Sequence, residues 1–312
     1  MIVRVRRSGL VEAEHPIAAA AVDRDGAVID SFGSDLGRSF FARSAIKPFQ
    51  TFISQRAGAD LGTEQMAIAS ASHAGQPVHV AYVREMLDQV GLTPSDLRCP
   101  SGRPAAPAAD QRLAVSGRTE PSTVFHMCSG KHAAMLRACK AQGWSLEYAA
   151  EGHPLHNEVV EIVTEASGRS VTPVGVDGCG VPTLRTDVVA LARSFSRLAA
   201  DDRFAPVLDA VRRYTPLTSD GWRRESEIAR WVPSFVKAGA AGCVAAVWTE
   251  GGVGFAAKAW TGDETAASVA LLTAIDRVGI LSDHQQAALE ALSAPPVMGK
   301  GAAVGRYEVG PA

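Results

Sequence analysis

Two strand-turn-strand signals, one near each end of the chain, constrain the fold more than anything between them. The first runs Ile17–Val22, Asp23-Arg24-Asp25-Gly26, Ala27–Phe32: two apolar-rich segments joined by a link whose Asp-Gly step suits a tight hairpin turn. The second runs Cys243–Trp248, Thr249-Glu250-Gly251-Gly252, Val253–Trp260. Between them, apolar residues recur at helical spacing over Ser44–Gln55, Val78–Val90, Lys131–Gln142, His153–Ser167, Leu184–Ala199, Arg203–Tyr214 and Glu225–Val232. The same spacing returns over Asp263–Leu281. A sheet must cover its apolar faces, so this order predicts an α/β (α+β) fold: one antiparallel sheet built from both chain ends, flanked by helices, with a helical insertion on one side. Arg98–Pro121, rich in Pro, Ala and Gly, reads as a long irregular connection, and the residues beyond Ala294 read as loosely ordered. Neither marks a domain boundary, so residues 1–312 are expected to form a single domain.

Composition narrows the function classes. Hydrophobic residues make up 46% and charged residues 21%, and the net charge of −2 comes from interspersed signs, which suits a soluble globular chain. That charge pattern offers no basic surface to nucleic acid or to an anionic membrane. No apolar run approaches the ~20 residues that span a bilayer. The opening MIVRVRRSGLVEAEH reaches Glu12 and Glu14 without the apolar core of a signal peptide. Five cysteines, an odd number, then read as reduced thiols in a cytoplasm.

The segment Arg43-Ser44-Ala45-Ile46-Lys47-Pro48-Phe49-Gln50 carries the first chemistry. Pro48 is tolerated only in the first turn of a helix, which places Ser44 near the N-cap. Three residues on, Lys47 shares its face and can reach its hydroxyl. A serine becomes a nucleophile when a base takes its proton, and a lysine is such a base only when burial or neighbouring cations lower its pKa. The alternative is a serine cap followed by a solvated lysine; apolar Phe40, Phe41, Ile46 and Phe49 around the motif argue against solvation.

Other candidates carry comparable alternatives. Ser72, in Ser70-Ala71-Ser72-His73-Ala74-Gly75, emerges from the apolar run Met66–Ala69 and either relays a proton or caps the helix starting near Pro77. His73 reads as a structural histidine. Lys258 lies in the apolar Gly254–Trp260 run, where it has a functional partner or points to solvent. Cys128 and Cys179 lack paired C-x-x-C spacing, so spacing alone reads them as buried thiols. Asp177, between glycines, holds a substrate ammonium or closes an Asx turn.

Together RSAIKPFQ (Arg43–Gln50), ASHAGQP (Ala71–Pro77), CSGKHAAML (Cys128–Leu136) and GVDGCGVPT (Gly175–Thr183) resemble the signature segments of the asparaginase II family, the Rhizobium etli-type asparaginases. The resemblance runs from the first hairpin to the closing helix. It implies hydrolysis of L-asparagine to L-aspartate and ammonia, on a fold related to serine β-lactamases and glutaminases. It implies a first Ser-Lys pair, Ser44 with Lys47, in which Ser44 is the nucleophile, and a second pair, Ser72 with Lys258, in which Ser72 rather than Ser70 relays the proton. It implies zinc on Cys128, Lys131 and Cys179, with Lys131 as a neutral amine and water in the fourth position. Asp177, Arg43 and His132 fall where substrate contacts are expected, and a homodimer is implied in the same way. Three rival readings are a glutaminase, a β-lactamase-like serine hydrolase and a catalytically silent zinc- or amino-acid-binding protein. The β-lactamase reading lacks S-D-N and K-T-G; Ser72-His73-Ala74 and Lys258-Ala259-Trp260 stand instead. The T-G-G-T signature of threonine-nucleophile asparaginases is absent as well.

Overall fold

The computed structural model describes residues 1–220 and 223–312. The chain opens with β1 (Ile2–Arg7), β2 (Leu10–Val22) and β3 (Val28–Gly33). The turn expected between β2 and β3 is there: the Asp23 carboxylate accepts from Asp25 N at 3.0 Å and Ala27 N at 2.8 Å, and Gly26 supplies a φ of +90°. Four two-residue strands follow: β4 (Phe40–Phe41), β5 (Gly175–Val176), β6 (Pro182–Thr183) and β7 (Arg185–Thr186). They pair locally as β4 with β7 and β5 with β6. The chain returns to the main sheet with β8 (Ser234–Gly239), β9 (Cys243–Trp248), β10 (Val253–Ala259), β11 (Pro296–Gly299) and β12 (Ala302–Gly310).

The main sheet is antiparallel in the order β11-β12-β1-β2-β10-β9-β8, and β3 pairs with the second half of β2. Strand β2 is long enough to hold β1 along its first half, Ile2 opposite Pro16, and β3 along its second, Ala18 opposite Gly33. The two-residue period sends Ala18, Ala20 and Val22 to one face with Ala245, Val247 and Ala256. Ile17, Ala19 and Ala21 go to the other with Ala246, Phe255 and Ala257. Small residues here let helices lie close to the strands; a Cβ on Gly254 would sit 2.0 Å from Ala192 O.

The larger core packs against the first face. It is formed by α1 (Lys47–Ser54), α2 (Thr63–Ser70), α3 (Pro77–Asp88), α5 (Ser129–Gln142), α6 (Pro154–Ser167), α7 (Val188–Ala200), α8 (Ala205–Arg213) and α9 (Thr215–Ser219), while α4 (Pro107–Val115) lies outside it, its Ala109 packing with Ala74 and Ala106 in a separate small cluster. The second face is covered by α10 (Arg224–Trp231), α11 (Glu264–Arg277) and α12 (Asp283–Ser293). Among the described residues, no helix is long and apolar enough to cross a membrane.

The antiparallel sheet built from both chain ends, flanked by helices, is the architecture anticipated. Three expectations are corrected. The residues beyond Ala294 are β11 and β12, because β12 pairs along its length with β1 some three hundred positions away, a partner no local pattern announces. Arg98–Pro121 is not irregular throughout: Pro107, at the first helical turn, starts α4. Strand β8, absent from the expected elements, forms the sheet edge nearest the polar groups described next.

Candidate active site

The approach to Ser44 is set by backbone. Arg43–Ile46 is a 3₁₀ turn, Ile46 caps α1, and Pro48 occupies its first turn. Ser44 therefore stands one turn ahead of the helix instead of capping it, since Pro48 forces the α-helix to start late. Its hydroxyl has no hydrogen-bond partner among the described residues. Arg43 holds φ at +52°, uncommon for a non-glycine residue, and its N–H donates to Thr183 Oγ1 at 3.0 Å. Strand β8 presses against this segment because residue 239 is glycine; a Cβ there would lie 2.5 Å from Ala42 O.

Two buried lysines converge on Ser72. Lys47 is fully buried; its Nζ donates to Ala71 O and lies 3.1 Å from Ser72 Oγ and 3.5 Å from Met127 O. Lys237, on β8, places its Nζ 2.8 Å from the same hydroxyl and 2.9 Å from Ala238 O. Burial, aided by the Lys47 charge, pushes Lys237 down to about 7, and burial lowers Lys47 as well. The Ser72 loop is held by His73, whose Nδ1 accepts from Gly75 N at 3.1 Å and whose Nε2 lies 3.0 Å from Ser129 Oγ, so this histidine is structural. Ser70 turns away to donate to Thr51 Oγ1 at 3.0 Å.

Lys258 is not brought to Ser72, which corrects the expected second pair. Its Nζ donates to Ala241 O and, at 3.0 Å, to Ala259 O, and it lies over the Phe40 and Trp260 rings at 5.7 and 5.6 Å. The register explains this: Lys258 on β10 faces Cys243 on β9, which faces Gly239 on β8, so Lys258 stands two strands from the site edge. The sequence reading does not reach Lys237, because no turn signal or clear alternation marks β8 as a strand. The available signal is a lysine within the largely apolar Ser234–Gly239, the same feature that marks Lys258.

The remaining expected residues form a charged cluster on the other side of Ser44. The Arg43 Nε donates to Asp177 Oδ1, Gly178 N donates to the same oxygen at 2.8 Å, and Lys131 Nζ stands 4.0 Å from Asp177 Oδ2. Burial raises the Asp177 carboxyl, but Lys131 and Arg43 outweigh it and hold the group below its usual range. Lys131, on the first turn of α5, is opposed by burial yet raised overall by the Cys128 and Cys179 sulfurs and by Asp177. Cys128 is held well below the ordinary thiol range by its hydrogen bond from Cys179, which the same bond pushes up. His132 is fully buried, with Nδ1 2.7 Å from Tyr148 Oη and Nε2 unpartnered among the described residues. Burial and the Lys131 charge keep it neutral.

Among the described residues, no three His, Cys, Asp or Glu side chains converge as a metal site would need. Two sulfurs and the Lys131 amine together supply three of the four donors that zinc takes, provided that Lys131 gives up its proton.

Ser44, Ser72 and Lys237 open onto one cavity of about 590 Å³, whose lining also includes Arg224, Glu225 and Glu264. The family model described as L-asparaginase II matches residues 3–309. The chain belongs to the L-asparaginase II family. Membership supports an asparaginase-type amidohydrolase that acts on a small molecule. No curated protein matches the chain. Among solved structures, a β-lactamase from Mycobacterium bovis aligns at 15% identity and TM-score 0.48, over 84% of this chain and 94% of its own. A candidate β-lactamase from Bacteroides dorei aligns at 17% identity and TM-score 0.42, over 78% and 85%.

Proposed function

We propose that the protein hydrolyses the side-chain amide of L-asparagine through a serine ester. The observation that carries this is a single hydroxyl, Ser72, held between two buried amines of lowered proton affinity and sharing a cavity with the unbonded Ser44 hydroxyl. As the Ser44 oxygen attacks the amide carbon, its proton passes to Lys47, whose Nζ turns from the Ala71 carbonyl it holds in the free protein to reach it. Backbone N–H groups near Ser44 stabilise the oxyanion, each worth about 3 kcal/mol in known sites. Ser72, flanked by Lys47 and Lys237, passes a proton to the leaving nitrogen, the C–N bond breaks, and water then releases aspartate from the ester. Asp177 and Arg43 meet the α-ammonium and α-carboxylate, and His132, neutral, completes that wall. Zinc would be held by Cys128, Cys179 and Lys131 and would supply fixed positive charge at the substrate's edge. The assembly we infer is a homodimer, for which light scattering should read twice the chain mass.

A second reading makes Ser72 the nucleophile, favoured by its contact with both lysines. The test is ammonia release from L-asparagine and L-glutamine, alongside nitrocefin turnover and zinc content, for the parent protein, Ser44→Ala and Ser72→Ala. Release from asparagine that falls by more than about a thousandfold in Ser44→Ala, with the trapped ester on Ser44 by mass spectrometry, is the expected result. An ester on Ser72 would exchange the two serines' roles. Zinc bound with no amide cleaved would leave a binding protein.

A further inference from the structure

The cavity that Ser44 and Ser72 share is far larger than ammonia requires. Its volume is about 590 Å³. Ammonia is close in size to water, and about 10–15 Å³ of such space holds one water. The charged cluster expected to hold the amino-acid end of the substrate takes no part in its lining: neither Arg43, Asp177, Lys131 nor His132 contributes a wall. The space lies on the Ser72 and Lys237 side, where the leaving nitrogen must be protonated, and it runs between β8, β9 and the first turns of α10 and α11. An amide nitrogen held at Ser72 would have this space beside it for a substituent.

The lining is not apolar. Arg224 Nη2 donates to Thr265 Oγ1 at 2.7 Å, and this is its one bond among the described residues, so further guanidinium N–H groups are left for a ligand. A guanidinium lining a cleft is suited to a carboxylate, which it can engage with two parallel N–H donors. Glu225 and Glu264 line the same cavity and repel a carboxylate except where Arg224 holds it.

We propose that this cavity is a leaving-group subsite, and that the enzyme cleaves β-aspartyl amides whose amine carries a carboxylate, with Arg224 binding that carboxylate. This rests on the serine-ester reading above. The balance is that of the parent reaction: the Ser44 oxygen bonds the β-carbonyl carbon, the C–N bond breaks, the nitrogen leaves as a free amino acid with the proton passed by Ser72, and water frees aspartate. No oxidant or co-reactant is needed.

The test compares L-asparagine, β-aspartyl-glycine and β-aspartyl-methylamide on the parent protein and on Arg224→Ala, following aspartate release by chromatography. Expected for the parent is a kcat/KM for β-aspartyl-glycine within about tenfold of that for asparagine and at least tenfold above that for the methylamide, which lacks the carboxylate. Arg224→Ala should lower the β-aspartyl-glycine value at least tenfold more than the asparagine value, chiefly through KM. Asparagine cleaved but β-aspartyl-glycine untouched overturns the subsite alone. So does a parent that treats the glycine and methylamide compounds alike, a comparison that needs no folded variant. If none of the three is cleaved, the serine-ester reading fails and the subsite falls with it.

Discussion

Ser72 Oγ lies 2.8 Å from one lysine nitrogen and 3.1 Å from another, both out of water, and two ammonium groups at that range repel. Lys237 responds by giving up its proton near pH 7 in the folded chain, where a lysine in the unfolded chain keeps it to about 10.4. Between those values the unfolded state binds more protons, so stability rises with pH across that window; below about 7 the cost of the buried charge is fully present. Thermal melts of the parent at pH 7, 8 and 9 should therefore contain a rise of about 1 kcal/mol per pH unit that Lys237→Met lacks. Parallel pH slopes in the two proteins would refute this. Activity should follow the same proton: kcat/KM for asparagine climbs about tenfold from pH 6 to pH 8 as neutral Lys237 becomes able to share, through Ser72, the proton taken from Ser44, which Ser72 then returns to the leaving nitrogen. Replacing Lys258 should leave that profile in place, because its nitrogen is spent on the Ala241 and Ala259 carbonyls.

At the scale of elements, the site is a meeting of three segments that are remote in sequence: the 3₁₀ turn before α1, the loop after α2, and β8. The absence of a side chain at two positions allows the close approaches in and beside this site. Gly239 admits β8 against Ala42, and Gly130 admits the start of α5 against Ile68, whose carbonyl oxygen would be 2.5 Å from a Cβ. Gly239→Ala should push β8 outward and carry Lys237 from Ser72. The expected cost is about 1–3 kcal/mol in urea unfolding, together with a fall of at least about tenfold in kcat/KM. Gly37→Ala, at a position with open space around it and no positive φ, is the control and should change neither. Equal behaviour of the two variants would mean that the β8 approach does not position the lysine.

For the whole molecule, the sheet separates support from chemistry. Strands β8, β9 and β10 lie on one side of β2 and β1, β12 and β11 on the other, so the chain's last strands brace β1 without touching the site. Ending the chain after Ala294 would expose one edge of β1, whose Val3 and Val5 are buried. Melting should drop by about 5 °C or more, while asparagine turnover at 20 °C stays within about threefold of the parent. Loss of turnover at full folding would show that the far edge of the sheet does position the site.

The sequence by itself determined the hairpin at Asp23–Gly26, the strand pair around Thr249–Gly252, the helical middle, and the four short segments that mark the family, because each rests on residues within a few positions of one another. Turn chemistry, apolar periodicity and the S-x-x-K spacing are local, and local interactions leave local patterns. The partner of Ser72 was decided only by tertiary structure. Lys237 and Lys258 both sit in apolar strands, and nothing in either segment tells them apart; the strand register, which puts β8 at the edge beside Ser72 and β10 two strands inward, makes the choice. The same holds for β12, whose alternation of Arg306 and Glu308 with half-buried neighbours looks like a polar tail until β1 arrives from the other end of the chain. Pairing across such distances is selected by burial of the whole sheet, so it appears only when the sheet is assembled.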